Sequence, residues 1–172
     1  MKWVPVGKLS RTHGLKGELK FQSFFPDSES LKSLHRLLLK GTGGQKSELE
    51  FESLRGHSSS LIIKLKGIDS VDDAKALTGR NVFALEDEFP RLPEGEYYRF
   101  QIKGLKAYDR EGRYYGQVED IIETGSNDVY VVRDGKKEIL IPMIDWVVKS
   151  IDMNENKLVF DNVEGLIEDS PV

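Results

Sequence analysis

The chain is a succession of short runs in which apolar and polar residues alternate, each closed by Gly, Ser or Asp. WVPVGKLS, GELKFQSF, HRLLLK, SELEFESL, SLIIKLKG and NVFALE occupy the first half, and KGLKAYD, YGQVEDIIET, DVYVVRD, KEILIP, WVVKSID and KLVFD the second. A period of two puts successive side chains on opposite faces, so each run offers one face to a core and the other to water. Short strands evenly punctuated in this way predict small antiparallel barrels rather than helical or α/β architecture.

One helix interrupts the pattern. In IDSVDDAKALTG, Ser70 is placed to cap with Asp73 three residues on. Val71, Ala74 and Leu77 share a face, and Gly79 ends the turn. A second short helical turn is expected at DSESLKSL, capped by Asp27 or Ser28. Residues 86–96, EDEFPRLPEGE, carry two prolines, a glycine and five acids, too polar and too broken for a core, and read as a linker. The expected organisation is all-β: a barrel over 1–86, a linker over 87–96 and a second barrel over 97–168, with one or two short helices. DREGR and TGSND mark turns in the second half, and RDGKK sets Asp134 and Gly135 at a positive-φ hairpin turn. EGLIED suggests a closing helical turn and DSPV a frayed end.

With 172 residues and no cysteine, the chain is long enough for a real core and has no disulfide framework, thiol nucleophile or thiolate metal site. The opening MKWVPVGKLS lacks the apolar run of a signal peptide, and no stretch approaches the ~20 apolar residues of a membrane span. A soluble cytoplasmic protein without membrane contact is expected. The net charge of -4 is unevenly spread: residues 1–90 hold 14 Lys and Arg against 12 Asp and Glu, residues 91–172 hold 11 against 17. In the first twenty residues Lys2, Lys8, Arg11, Lys16 and Lys20 face Glu18 alone, a local excess suited to phosphate. The acidic second half suits a basic protein partner.

RTHGLKGELK, residues 11–20, concentrates that basic charge around two glycines. A phosphate-binding P-loop needs a longer glycine spacing, then Lys and Ser or Thr, opening a helix; here Glu18 follows Gly17 and a strand pattern follows that. Gly14 and Gly17 therefore read as the positive-φ residues of a four- or five-residue hairpin loop. Arg11, His13, Lys16 and Lys20 around its tip remain candidates for contact with phosphate, which positions but reads no sequence. His13, His35 and His57 lie in separate segments without the spacing of a metal set, so neither metal nor cofactor is expected. The acid pairs Asp72–Asp73 and Glu119–Asp120 read as solvated faces, since adjacent residues diverge on helix and strand alike. In EGEYYRF, Tyr97 and Tyr98 point to opposite sides if extended, so at most one joins a core easily. The other is either wet, as an interface residue, or an anchor of the linker.

These stretches together resemble the RimM family of bacterial ribosome maturation factors. VGKLSRTHGLKGELK is similar to the family's N-terminal signature, DSVDDAKALTGRNVF to its helix and last strand, and EGEYY to the paired tyrosine that opens its PRC barrel. GQVEDIIETGSNDVYVV, EILIPMIDWVVKSID and GLIE resemble its remaining blocks in order. The resemblance implies two β-barrels, the first akin to those of translation factors and the second a PRC barrel, and no catalysis. It implies binding to the head of the immature 30S subunit, with small-subunit ribosomal protein nineteen as principal partner and late folding and processing of 16S rRNA as outcome. The ribosomal-protein contact would fall on Tyr97, Tyr98 and Arg99. RFQIKG departs from the family here, with Arg99 and Gln101 standing for an aromatic and an acid. A monomer without a small-molecule substrate is expected. The competing readings are an RNA-processing enzyme using His13 and Glu18, and a PRC-barrel scaffold outside the ribosome.

Overall fold

The structure, a computed structural model, describes residues 1–25, 27–57 and 60–162. The chain divides into two units, Met1–Arg91 and Leu92–Val172. The division falls inside the stretch 87–96. EGLIED and DSPV fall outside the described residues.

In the first unit, β1 (Trp3–His13), β2 (Glu18–Ser23), β3 (Arg36–Lys40), β4 (Lys46–Arg55), β5 (Leu61–Leu65) and β6 (Asn81–Leu85) close into a barrel in the order β1-β2-β5-β4-β3-β6. All pairs are antiparallel. Alternation does the sorting: Leu9, Leu19, Leu39, Leu65, Val82 and Ala84 point inward and are fully buried. Each such leucine contributes about 1.5–3 kcal/mol. α1 (Val71–Lys75) starts where Ser70 Oγ accepts the Asp73 N–H at 3.1 Å, and it buries Ala74. A 3-10 turn, Glu29–Leu31, lies in DSESLKSL, with Asp27 rather than Ser28 supplying the side-chain bonds to the Glu29 and Ser30 N–H groups. Another 3-10 turn, Glu86–Glu88, is followed by Phe89, whose ring stacks on Phe25 at 5.2 Å. Those residues of the acidic stretch therefore lie against the first barrel.

The second unit opens with α2 (Arg99–Ile102) and continues as β7 (Lys106–Asp109), β8 (Tyr114–Glu123), β9 (Asp128–Asp134), β10 (Lys137–Pro142), β11 (Val148–Asp152) and β12 (Lys157–Phe160). They form one six-stranded sheet in the order β10-β9-β8-β7-β12-β11, antiparallel except for β12 against β7. The sheet wraps one apolar core in which Leu105, Ala107, Val132, Ile141, Val147 and Phe160 are fully buried. The chain passes from one end of the ladder, β10, to the other, β11, through residues 143–147.

Candidate functional site

The β1–β2 hairpin carries the basic excess of the N-terminus. His13 and Glu18 are the last cross-strand partners, so residues 14–17 form the loop, with Gly14 at φ +63° and Gly17 at φ +81°. Leu15 and Lys16 at the tip are exposed. Arg11 stands opposite Lys20 two steps back along the ladder, so those two candidates share one outward row. His13 is offset from them and partly buried. Glu18 is engaged: Arg55 Nη2 donates to it at 2.8 Å, and this hydrogen bond, reinforced by the charge of Arg55, His13 and Lys16, holds its carboxyl below the ordinary range. A carboxylate kept ionised by a guanidinium is a poor proton donor. Arg11, Lys16 and Lys20 enter no ion pair among the described residues, and Glu18, the acid of the hairpin, is taken by Arg55.

At the start of the second unit the sequence leaves two places for the tyrosine that does not join the core, a wet interface position or an anchor of the linker. Neither tyrosine stands fully out. Tyr97 packs against the core of the unit, and Tyr98 retains 9% of its surface, its ring nearly parallel to that of Phe100 at 5.2 Å. The physical reason is local: directly after Tyr98 the chain turns into α2, which carries Phe100 back beside it. Gln101 Oε1 accepts the Tyr98 N–H at 2.8 Å, fastening that turn. Arg99 Nη2 reaches Glu123 at 3.1 Å and Asp128 at 3.5 Å, pinning the turn to the ends of β8 and β9. Both residues that depart from the family's pattern therefore have structural partners. Tyr130, facing the core beside this cluster, has its hydroxyl pushed up to about 12 by burial, with Asp128 and Tyr97 adding to the shift.

The outer face of β8, β9 and β10 escaped the sequence reading. A bulge between Val118 and Asp120 turns both Glu119 and Asp120 outward, where strict alternation would separate them. Glu119 and Glu138 both accept from Arg133, at 3.0 and 2.6 Å, while Asp120 accepts from Lys103 at 2.8 Å. Among these pairs stand Ile122 and Leu140, each more than two-fifths exposed, and Trp146 is exposed in the link to β11. Period-two alternation of KEILIP already places Leu140 opposite the buried Ile139 and Ile141, but one exposed leucine carries no functional signal by itself. The β9–β10 turn is Gly135–Lys136, with Gly135 at φ +59°; Asp134, expected in the turn, instead closes β9 as the partner of Lys137 and takes no positive φ.

No group of three or more His, Cys, Asp or Glu among the described residues could hold a metal, and His35 and His57 lie exposed in separate places. What the arrangement offers is surface: an unmatched basic wall on a closed barrel, and an apolar patch bordered by matched charges on a second sheet. The chain is a two-barrel protein of the β class. Residues 4–89 match the RimM N-terminal domain and residues 99–166 the RimM PRC barrel domain. The ribosome maturation factor RimM of Geotalea daltonii is 39% identical over 95% of this chain and 94% of that protein. That of Thermotoga petrophila is 39% identical over 95% and 93%. The solved structure of the Pseudomonas aeruginosa 16S ribosomal RNA processing protein RimM is 31% identical, with a TM-score of 0.48, covering 93% of this chain and 97% of that one. The chain belongs to the RimM family of ribosome maturation factors.

Proposed function

We propose that the protein is a non-catalytic assembly factor that binds the immature 30S subunit at its head and promotes late folding and processing of 16S rRNA. Its second barrel takes small-subunit ribosomal protein nineteen, through Tyr97, Tyr98 and Arg99 and the neighbouring sheet face. Its first barrel meets rRNA phosphate through Arg11, Lys16 and Lys20, with His13 beside them. It works as a cytoplasmic monomer, without cofactor, metal or small-molecule substrate, and its domains span 1–86 and 97–168. The carrying observation is the separation of surfaces: unmatched cations on the first barrel, and exposed apolar side chains on a second half with six more acids than bases. Ribosomal proteins are basic and rRNA is anionic, so opposite fields steer the two barrels to different parts of one particle. By binding one arrangement of protein and rRNA better than others, the factor shifts the population toward the assembled head. Glu18, which the competing enzyme reading would use, is engaged by Arg55.

The test is sedimentation of the protein with immature subunits. Wild type, Tyr97→Ala/Tyr98→Ala and Ile122→Ser/Leu140→Ser are compared, with circular dichroism confirming that each is folded. Folded variants of both kinds should bind at least tenfold more weakly. Undiminished binding by both would remove the second barrel from the interface.

A further inference from the structure

Residues far apart in sequence meet on the outside of the first barrel. Lys8 on β1 is the register partner of Gln22 on β2 and of Asn81 on β6. Asn81 also stands opposite Lys40 on β3, and Lys40 opposite Lys46 on β4. The row Gln22–Lys8–Asn81–Lys40–Lys46 thus crosses five strands, an arc of about 19 Å at ~4.8 Å per strand. Phe21, Leu9, Val82 and Leu39, adjacent to its members along four of the strands, are buried, so the row faces outward. Lys40 is held in place with its Nζ 4.1 Å over the Phe83 ring. On β2 the stripe continues to Lys20, two residues from Gln22, and so to Arg11 opposite it. Arg80 adjoins it at the strand ends, donating to Ser47 Oγ at 3.0 Å.

The row contains no acid, and Lys8, Lys40 and Lys46 enter no ion pair among the described residues. On the β3, β4 and β5 rows of the same barrel several cations are matched: Arg36 with Glu48 at 3.3 Å, Lys64 with Glu52 at 3.6 Å and Lys66 with Glu50 at 2.6 Å. Lone like charges in a row repel one another, and a polyanion laid along them relieves that repulsion and releases its own counterions. We propose that this stripe is a binding site for an RNA sugar–phosphate backbone, with Lys8, Lys40 and Lys46 neutralising phosphates. Gln22 and Asn81 between them supply neutral donors for phosphate or 2′-hydroxyl oxygens. The inference rests on the reading that the protein works on rRNA, and it extends the RNA-facing surface from the β1–β2 tip around the barrel.

The experiment measures binding of the full chain to a protein-free transcript of the 3′ domain of 16S rRNA as KCl is raised. At roughly 0.7 per phosphate contact on single strands and 0.9 on duplex, Lys8→Gln/Lys40→Gln/Lys46→Gln should lower the slope of log K against log salt by about 2 to 3. Lys8→Arg/Lys40→Arg/Lys46→Arg, which keeps the charge, should retain the slope, as should Lys66→Gln. A folded Gln variant with the wild-type slope overturns the proposal. So does a Gln variant that loses only binding to phosphatidylglycerol vesicles while its RNA affinity is unchanged. Wild-type binding to immature subunits is read in parallel. A protein that binds the transcript through the stripe but ignores the particles refutes the assembly-factor reading and leaves the stripe in place.

Discussion

Gly14 and Gly17 sit in the same four-residue loop with similar backbone angles, φ +63° and +81°, yet they should respond very differently to alanine. A Cβ on Gly14 meets nothing within 4 Å. The cost of Gly14→Ala is therefore the left-handed conformation alone, about 1 kcal/mol. A Cβ on Gly17 would overlap the carbonyl of Ile68 and stand 2.9 Å from the Asp69 nitrogen, and both are backbone atoms that no rotamer change can move. Residues 68–69 would have to shift. The Ile68 carbonyl accepts Lys64 Nζ at 2.7 Å and the Ile68 N–H donates to the Leu65 carbonyl at 3.2 Å, so displacement puts two hydrogen bonds at risk, about 1 kcal/mol each. With the backbone strain, Gly17→Ala should cost about 3–4 kcal/mol.

For a unit of this size one kcal/mol moves the midpoint by about 4–8 °C. Gly14→Ala should then lower the Tm of the first barrel by about 5 °C and Gly17→Ala by about 15 °C or more. The two tryptophans fall one in each unit, Trp3 and Trp146, so a Trp146→Phe background lets fluorescence report the first barrel alone. Equal losses for the two alanine variants would refute the close approach of the β1–β2 loop to residues 68–69. They would also remove the reason for a glycine at position 17 beyond its φ.

Two further outcomes follow from the site chemistry and the second core. Glu18 has its folded pKa lowered by Arg55, so the pair contributes stability above the ordinary value of 4.5 and loses it as pH falls through the lower folded value. Urea titrations of the first barrel between pH 6 and about 3 should show a shallower loss in Glu18→Gln than in wild type. The effect is small because the pair is exposed, and parallel curves would argue against the pairing. Phe160, fully buried and edge-on to Tyr115 at 5.2 Å, should cost about 3–5 kcal/mol as Phe160→Ala, read from the Trp146 transition in a Trp3→Phe background. An unchanged transition would contradict its place in the core.

The strands were readable because alternation is a local property: LKF in β2 or ILI in β10 places its own inward and outward side chains with no knowledge of the partner strand. The same holds for α1, whose Ser70 cap lies within three residues of the group it satisfies. α2 was not readable. Its Gln101–Tyr98 bond is as local as the Ser70 cap, but Tyr98 is not a residue type that signals a helix start, and Arg99 is held by Glu123 and Asp128 two strands later. Of the two tyrosines, Tyr98 is buried and Tyr97 is half-buried against the core, and extended geometry ends at Tyr98. The bulge that turns Glu119 and Asp120 to one side is likewise set by the pairing of β8 with β9 and leaves no mark in the dipeptide itself.

The basic stripe is the limiting case of this distinction. A count of charge along the chain finds Lys8, Arg11, Lys16 and Lys20 because they are neighbours in sequence, and it passes over Lys40 and Lys46 because the acids of β4 follow them closely. Closure of the barrel re-sorts these groups by row. Pairing of β6 with both β1 and β3 brings Lys8 and Lys40 to either side of Asn81, while Glu48 and Glu50, two and four residues beyond Lys46 on the same face of β4, are taken by Arg36 and Lys66. Their acid partners gone, the lysines of the row keep their full field toward solvent. A near-neutral composition in the first ninety residues thus resolves into matched pairs on some rows and an unmatched row between them. Topology, rather than net charge, therefore determines where this barrel can meet a polyanion.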